Sequence, residues 1–340
     1  MAQQNKREEL LAAWRALDGC SKHEGWRTIQ ITHACSFRLR AGRYFPGNEE
    51  ALLVGFSSVH VPPVDQLPQG YGFIVSKCNL ESDSADGTWI SLRRQSAGNL
   101  ELFARMSDDI VTTLEGLRTT TDYGLFNAFI TRIRAWQEFM KRDGDGLLRP
   151  EAEIGLFGEL ELLLDIMSTG VSHLNMVNAW QGPMGGLHDF VFDTGAMEVK
   201  TTMSPNGFPA NIGSLEQLDN SHVCPLYLVG IRLSSNPSGK TLPEQIGALR
   251  DLMRDDPVAL AILNSRLIHG GFIDAVADHY FRRFIRTDRR ILEISTEFPR
   301  LTRENVAIPI GKVCYEIDLD LVNTVDIKLD YALKQLGVIP

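Results

Sequence analysis

Long apolar runs are missing from this chain. No uncharged apolar stretch in its 340 residues approaches the roughly eighteen that a membrane-spanning helix needs. The first residues, MAQQNKREELLAAW, are charged and helix-forming, and they lack the apolar centre of a secretory signal. We therefore expect a cytoplasmic protein without membrane contacts.

Cysteine is scarce and dispersed. None of the cysteines forms a CxxC pair or another metal-ligand spacing. The five are Cys20, Cys35, Cys78, Cys224 and Cys314. An odd, scattered set is typical of reduced and mostly buried thiols, and it argues against a zinc site.

Positive charge is also in short supply. The net charge of −9 argues against nucleic-acid binding through the whole surface. It does not exclude a nuclease, because a metal-dependent active site is itself acidic and binding can use a local basic face or a partner. Arginine outnumbers lysine by 25 to 9. Because lysine is scarce, a lysine at a motif position is less likely to be there by chance.

The sequence pattern of residues 1–145 predicts a β-rich region that ends in a helix. An amphipathic helix over 7–17 precedes strand-like segments separated by turn residues. These segments are RTIQIT, CSFRLR, ALLVGF, YGFIVSK, TWISLRR and LELFARM. Their Trp and Tyr residues are expected to pack a core rather than to stack nucleic-acid bases. A strongly amphipathic helix over 123–141 closes the region.

The best domain boundary is Asp143-Gly144-Asp145-Gly146, which we interpret as an interhelical turn because the EF-hand spacing is missing. Residues 147–235 form the predicted core: a helix opened by Pro150, a hairpin, an extended piece, a helical turn or short helix over 214–219, and a buried strand over 225–233.

Residues 236–340 form a C-terminal α/β extension. Its helices are LPEQIGALRDLM and PVALAILNSRL, and its strands are RRILEIST, VCYEIDL and NTVDIKL. The pattern predicts a mixed α/β fold.

The predicted hairpin, DFVFDTGAMEVK, carries the most informative residues. A turn over 193–196 with its glycine at positive φ pairs Phe192 with Met197 and sets Asp189 opposite Lys200. Because side chains alternate along a strand, Asp189 and Lys200 then share a face with Glu198. The other face is wholly apolar: Phe190, Phe192, Met197 and Val199. A one-residue slip would mix polar and apolar side chains on both faces.

Two carboxylates and a lysine on one face suit divalent-metal chemistry on a phosphodiester. Diagonal cross-strand neighbours have α-carbons roughly 7–8 Å apart, a gap that Asp189 and Glu198 can close on one cation. Oxygen ligands, including the Val199 carbonyl, favour Mg²⁺ or Mn²⁺ over zinc. Such an ion can lower the pKa of a bound water, and Lys200 would steady that water or the developing negative charge.

The spacing Asp189-(x8)-Glu198-x-Lys200 resembles the motif of the PD-(D/E)XK nuclease superfamily, with His188 in place of the usual proline. The wider run GLFGEL, AWQGP, HDFVF, MEVKTT and LEQLD is similar to a poorly characterised group of prokaryotic PD-(D/E)XK proteins. The likeness is specific over about 150–232 and vague elsewhere.

This resemblance implies a restriction-endonuclease-like mixed sheet flanked by helices. It implies metal ligation by Asp189 and Glu198, with Glu159 from the preceding helix completing the site and Glu153 as the weaker candidate. Gln217 matches the residue that a following helix often supplies. It also implies DNA as substrate and a place in phage-defence gene clusters beside ATPase partners. The oligomeric state stays open, a homo-oligomer included.

Each of these residues has an ordinary alternative. Asp189, Glu198 and Lys200 can form a solvated hairpin face with a cross-strand ion pair, and Glu159 and Gln217 can simply face solvent. Asp326-Ile327-Lys328 repeats the acidic-x-lysine spacing without the glutamate-bearing helix before it, and we interpret it as an exposed strand face. The surroundings therefore carry more weight than the tripeptide.

Two further segments offer rival interpretations. SSNPSGKT at 234–241 follows a strand and precedes a helix, as a phosphate-binding loop does, but it lacks the first glycine and contains a stiffening proline. We interpret it as a loop and helix cap.

The segment HYFRRFIRTDRR at 279–290 could bind a nucleic-acid backbone. Alternatively it could be a helix or strand with a basic face towards solvent.

Together these features predict an Mg²⁺- or Mn²⁺-dependent DNA endonuclease of restriction or phage defence. The alternative from another class is a non-catalytic DNA-binding or assembly subunit that keeps the fold. The intact Asp189, Glu198 and Lys200 set speaks against it. A nuclease directed at RNA or tRNA is a further alternative.

Overall fold

The computed structural model describes residues 6–32, 37–70, 72–80, 87–117, 121–141 and 147–340. It divides into two compact units: Met1–Gly146 with Ile273–Ala275, and Leu147–Phe272 with Val276–Pro340. The predicted turn at 143–146 and Cys35 lie outside the described residues. The three-part domain division stays a prediction.

The first unit is built on a six-stranded sheet in which every neighbouring pair is antiparallel. Its strands are β1 (Gly25–Thr32), β2 (Arg38–Phe45), β3 (Glu49–Phe56), β4 (Gln69–Gly70), β5 (Phe73–Cys78) and β6 (Thr88–Arg94). Their spatial order is β1-β2-β3-β6-β5-β4. Around β3 both faces of the sheet are buried: Leu52, Val54 and Leu92 lie on one face, and Ala51, Leu53 and Trp89 lie on the other. The predicted β-rich region is therefore present.

Three helices complete the first unit: α1 (Lys6–Ala16), α2 (Leu100–Gly116) and α3 (Asp122–Met140). The prediction of a strand at LELFARM was wrong, because this segment begins α2. The Asn99 side chain caps the helix by accepting a hydrogen bond from the Leu102 N–H at 3.0 Å. Apolar residues then continue at helical spacing, with Phe103, Ile110 and Leu114 buried. Seven residues were too short to reveal this period.

The second unit contains a four-stranded mixed sheet in the order β11-β10-β8-β7. Its strands are β7 (Phe190–Val191), β8 (Ala196–Thr202), β10 (Leu226–Lys240) and β11 (Phe284–Glu293). The β8 and β10 strands are parallel, and the other pairs are antiparallel. A separate two-stranded sheet joins β9 (Pro209–Ile212) to β12 (Tyr315–Asp318). The strand β11, which comes from the predicted C-terminal extension, completes the sheet that carries β8.

The helices of the second unit are α4 (Pro150–Met167), α5 (His173–Ala179), α6 (Leu242–Leu252), α7 (Pro257–His269) and α8 (Leu329–Gln335). The predicted strand NTVDIKL is absent. Asp326 instead accepts a hydrogen bond from the Ile291 N–H at 2.8 Å through its side chain, and α8 begins immediately afterwards. The mixed α/β fold class predicted from the sequence is confirmed, and it is consistent with a PD-(D/E)XK-like architecture.

The thiols differ from their predicted environment. Cys20, Cys224 and Cys314 are exposed and Cys78 is half-buried, and none of these four is in a disulfide. The expectation of mostly buried thiols was therefore wrong for the cysteines that the structure describes.

No helix in the described ranges combines the length and apolarity required to cross a membrane.

Candidate active site

The hairpin formed by β7 and β8 has a register two residues away from the predicted one. Phe190, not Phe192, pairs with Met197, so continuing the ladder places Asp189 opposite Glu198. A shift of two residues leaves every side chain on its predicted face. Segments outside the turn also hold the two strands: Trp180 forms a β-bridge with Phe190, and the Ala196 N–H donates to the Pro225 carbonyl at 3.0 Å.

The turn itself also differs. The Phe192 N–H donates to the Gly195 carbonyl at 2.8 Å, and Gly195 does not have the predicted positive φ. A Cβ at this position would collide with the carbonyl oxygen of Pro225. Glycine is therefore needed for a close approach between two main-chain segments and not for a left-handed backbone.

The polar face of the hairpin is buried. The Glu198 side chain is only 3% exposed and that of Lys200 17% exposed, and the Lys200 ammonium lies 2.6 Å from Glu198 Oε1. The other carboxylate oxygen of Glu198 is buried and has no hydrogen-bond partner. Asp189 is half-buried, and its Oδ2 accepts from the Val199 N–H at 2.7 Å. A solvated surface ion pair, the ordinary alternative, does not describe this arrangement.

Gln217 lies beside the same lysine. Its Oε1 is 3.4 Å from the Lys200 ammonium and accepts from the Gly213 N–H at 2.8 Å. The residues around it, 214–219, form bends and a turn rather than a short helix. The buried His188 ring lies 3.1 Å from the Gln217 carbonyl, and burial lowers the pKa of this histidine. The turn thus brings an amide to the lysine without a helix.

Glu159 reaches the site from α4 because this helix packs closely on β8. A Cβ on the neighbouring Gly158 would overlap the Thr201 side chain, so glycine permits the approach. The fully buried Trp180 donates its indole N–H to Glu159 Oε2 at 2.7 Å. The structure therefore brings Glu159 to the neighbourhood of Asp189 and Glu198.

Glu153 is held elsewhere. It lies almost two turns earlier on α4, is 5% exposed, and accepts from the Arg282 guanidinium at 2.9 Å. This ion pair compensates one carboxylate oxygen of Glu153, while the other oxygen is buried without a hydrogen-bond partner.

Space between two of the carboxylates depends on Gly182. A Cβ on this residue would stand 2.6 Å from Glu159 Oε2 and 2.7 Å from Asp189 Oδ1. Both oxygens therefore converge on one gap that only glycine leaves open. The main chain fixes the gap, since the N–H groups of Gln181 and Gly182 donate to the Asp189 carbonyl at 2.7 and 3.0 Å.

The donor chemistry of this gap fits an oxygen-binding divalent cation. Three carboxylates converge, and Glu198 contributes an unpartnered oxygen. In the arrangement described, Lys200 occupies the other Glu198 oxygen, and no group of three or more His, Cys, Asp or Glu side chains among the described residues is already placed to hold a metal. Cation binding would thus require the carboxylates to rearrange around the gap.

The crowding of carboxylates changes their acidity. Burial and then the Asp189 charge raise the pKa of Glu198 to about 8, against the opposing effect of Lys200. Burial raises the pKa of Asp189, and the Val199 N–H and Lys200 partly offset this. Burial, followed by the Asp189 charge, raises the pKa of Glu159 well above its ordinary value. The site therefore holds protons that a cation would displace.

We expect the metal-free protein to lose stability as the pH rises from about 5 to about 8. In this window native Glu198 retains a proton that the unfolded chain has released, so the unfolding free energy falls with pH. The Glu198→Gln variant removes this titration and should decline less, by an amount on the order of a few kcal/mol. Urea denaturation in chelator across this range measures it, and parallel curves for the two proteins would contradict the raised pKa.

Two rival segments have structural roles. Residues 234–240 continue strand β10 instead of forming a phosphate-binding loop, and the Lys240 ammonium contacts Gln245 Oε1 at 3.2 Å. Within 279–290, five arginines form ion pairs with carboxylates: Arg282, Arg283, Arg286, Arg289 and Arg290. This network favours a structural role over a grip on a nucleic-acid backbone.

Sequence reasoning missed Trp180 and Gly182 as site residues. The only available signal was their place in AWQGP, one of the segments that carry the family resemblance. Although Trp180 lies close to Asp189 in the sequence, no local pattern indicates that its N–H will meet the Glu159 carboxylate, 21 residues earlier in the chain.

Comparison with known proteins gave one result. Curated proteins and solved structures yielded no match. A family model described as "Putative PD-(D/E)XK family member, (DUF4420)" matches residues 10–320. Because this match covers most of the chain and the residues that form the buried site, the protein belongs to this PD-(D/E)XK family.

Proposed function

We propose that this protein is a metal-dependent endodeoxyribonuclease that acts in the cytoplasm in restriction or phage defence. Family membership indicates nuclease-type hydrolysis. The observation that carries the finer proposal is the convergence of Asp189, Glu198 and Glu159 with Lys200 in a buried site. A binding-only protein would gain nothing from crowding three carboxylates into one largely buried site, which costs free energy unless charge compensates.

In this proposal Asp189, Glu198 and the Val199 carbonyl hold Mg²⁺ or Mn²⁺, with Glu159 completing the set. When bound, the ion would lower the pKa of a water and stabilise charge on the phosphate. Lys200 steadies the attacking oxygen or the developing negative charge, and Gln217 holds the lysine in place. Water adds to phosphorus, one P–O ester bond breaks, and a phosphate end and a hydroxyl end result.

The test is cleavage of supercoiled, linear and single-stranded DNA, and of RNA, with Mg²⁺, Mn²⁺ or chelator. We expect metal-dependent cutting of DNA by the wild type and a loss of at least about 100-fold in Asp189→Ala and Glu159→Gln. Glu153→Gln, on the same helix as Glu159, is the matched control and should keep its activity. Thermal melting of each variant verifies folding.

Several outcomes would contradict the proposal. Equal cutting by wild type and Asp189→Ala would identify a contaminant. RNA cleavage without DNA cleavage would redirect the substrate. A wild-type protein that binds DNA but cuts nothing, with or without an added ATPase of its gene cluster, would support the non-catalytic subunit.

A further inference from the structure

The helix α7 carries a charged residue on its buried face. Asp256 caps this helix by accepting a hydrogen bond from the Ala259 N–H at 3.0 Å. Leu263 and Leu267 follow at helical spacing, and both are buried. Arg266 lies three residues after Leu263 on the same face and is only 9% exposed. A guanidinium therefore lies where the helical period predicts an apolar side chain.

The hydrogen bonds of Arg266 go to the main chain. Within the described ranges no carboxylate forms an ion pair with this residue, and burial lowers the pKa of its guanidinium. One N–H group of Arg266 donates to the Trp180 carbonyl, and another donates to the Asn178 carbonyl at 3.2 Å. Burying a cation without an anion costs free energy that hydrogen bonds to neutral carbonyls offset only in part. Packing alone would favour an apolar residue at this position.

The two carbonyls lie at the C-terminal end of α5, where the chain leaves the helix. The last carbonyls of a helix have no partner within it and carry partial negative charge, so a cation is favoured there. Trp180 is the C-cap residue and has extended backbone angles, with φ −73° and ψ 96°. Since a guanidinium is planar and rigid, it can bridge two acceptors in a fixed geometry. Arg266 therefore holds the point at which the chain turns from α5 into residues 180–182.

This 180–182 segment holds two of the proposed catalytic carboxylates. The Trp180 indole N–H donates to Glu159 Oε2 at 2.7 Å. The next two N–H groups donate to the Asp189 carbonyl at 2.7 and 3.0 Å. Gly182 leaves the gap on which both carboxylates converge. A displacement of the segment would therefore change the positions of both carboxylates.

A second contact joins the end of α7 to the same stretch of chain. Gly270 directly follows α7, and a Cβ on it would stand 3.5 Å from Pro183 Cβ, an ordinary van der Waals distance. Gly182 thus lies between two points, Trp180 and Pro183, that contact α7 or the residue after it.

We propose that Arg266 is a positioning residue of the nuclease site, which acts by holding the 180–182 segment and touches neither DNA nor metal. The proposal rests on the proposed function for the reaction that the segment serves. A helix cap with a purely structural role is the alternative, and its loss would lower stability without a separate effect on the site.

The first test measures hydrogen exchange of the full-length protein in chelator, where neither metal nor cleavage contributes. We expect the amides of residues 181 and 182 to exchange on the order of ten-fold faster in Arg266→Met than in the wild type. Arg266→Lys keeps the charge but lacks the planar fork, so it should give an intermediate rate. It also serves if Arg266→Met does not fold.

Leu263→Ala is the matched control. It opens a cavity on the same buried face of α7 and removes no side-chain hydrogen bond. We expect a lower melting temperature in this variant, with the exchange of residues 181 and 182 unchanged under conditions where the protein stays folded.

The second test combines Mn²⁺ calorimetry with cleavage kinetics. Outer residues that orient metal ligands typically contribute about ten- to 100-fold to metal affinity or activity. We expect losses of this size in the Mn²⁺ affinity and in the kcat of Arg266→Met, with partial recovery in Arg266→Lys. The KM for DNA should not change, because the buried guanidinium cannot reach DNA. Leu263→Ala should keep the wild-type values.

Equal exchange of residues 181 and 182 in the wild type and Arg266→Met would overturn the proposal, as would equal effects of Arg266→Met and Leu263→Ala. A higher KM with unchanged kcat would also overturn it, since Arg266 would then bind substrate. A protein that shows the exchange difference but neither binds Mn²⁺ nor cuts DNA would contradict the proposed function alone and leave Arg266 as the residue that positions the segment.

Discussion

Replacing Lys200 by methionine is expected to reduce DNA cleavage by about 100- to 1,000-fold, as removal of one transition-state hydrogen-bond donor does. The ammonium lies 2.6 Å from Glu198 Oε1 and 3.4 Å from Gln217 Oε1, and methionine keeps most of the volume while removing the charge. Because the lysine acts on charge that develops during the reaction, the loss should appear in kcat rather than in KM.

The chain supplies a matched control. Lys328 stands in the second acidic-x-lysine tripeptide, but it is exposed and immediately precedes α8. Lys328→Met should leave cleavage unchanged.

The Lys200 charge lowers the pKa of Glu198, so this pKa should be higher in Lys200→Met. The residual activity of Lys200→Met should therefore peak at a higher pH than wild-type activity. Wild-type kcat in Lys200→Met would exclude this lysine from the reaction.

Replacing Gly182 by alanine is expected to cost about 100-fold in cleavage although no titratable group is changed. The added methyl group would occupy the gap between Glu159 Oε2 and Asp189 Oδ1, at 2.6 and 2.7 Å. One of the two carboxylates must then move, and a displacement of about 1 Å in an active site costs about two orders of magnitude in rate. Mn²⁺ affinity, measured calorimetrically, should fall in parallel.

Gly155→Ala is the control for this change. A Cβ on Gly155 meets nothing within 4 Å, and the residue lies on α4 one turn before Glu159. Alanine there should keep full activity and stabilise the helix by up to about 1 kcal/mol. If Gly182→Ala cleaved DNA as Gly155→Ala does, the gap would not be the metal site.

How far the sequence predicts such a site depends on the range of each interaction. Alternation along β7 and β8 is local, so the faces of Asp189, Glu198 and Lys200 followed from the order of residues. The predicted pairing of Phe192 with Met197 failed because a hairpin turn of this length permits more than one register. A shift by two preserves the faces, which is why the wrong register still gave the right face for all three residues.

Contacts between residues far apart in the chain could not be predicted from the sequence. Glu153 and Glu159 lie on one helix, and the family resemblance only ranked Glu159 before Glu153. The distant Arg282 binds the first, and Trp180 binds the second. Similarly, LELFARM has an alternation that suits a strand, but packing in the first unit and the Asn99 cap select a helix.

The sequence by itself determined the fold class, the family motif and the face shared by the three motif residues, because these depend on side-chain period and on residue identity. Only the tertiary structure decided which glutamate approaches Asp189, that Gln217 contacts Lys200 from a turn, and that Gly182 leaves a gap between two carboxylates. Those contacts join residues far apart in the chain, and their geometry follows from how helices and strands pack, which no local pattern encodes.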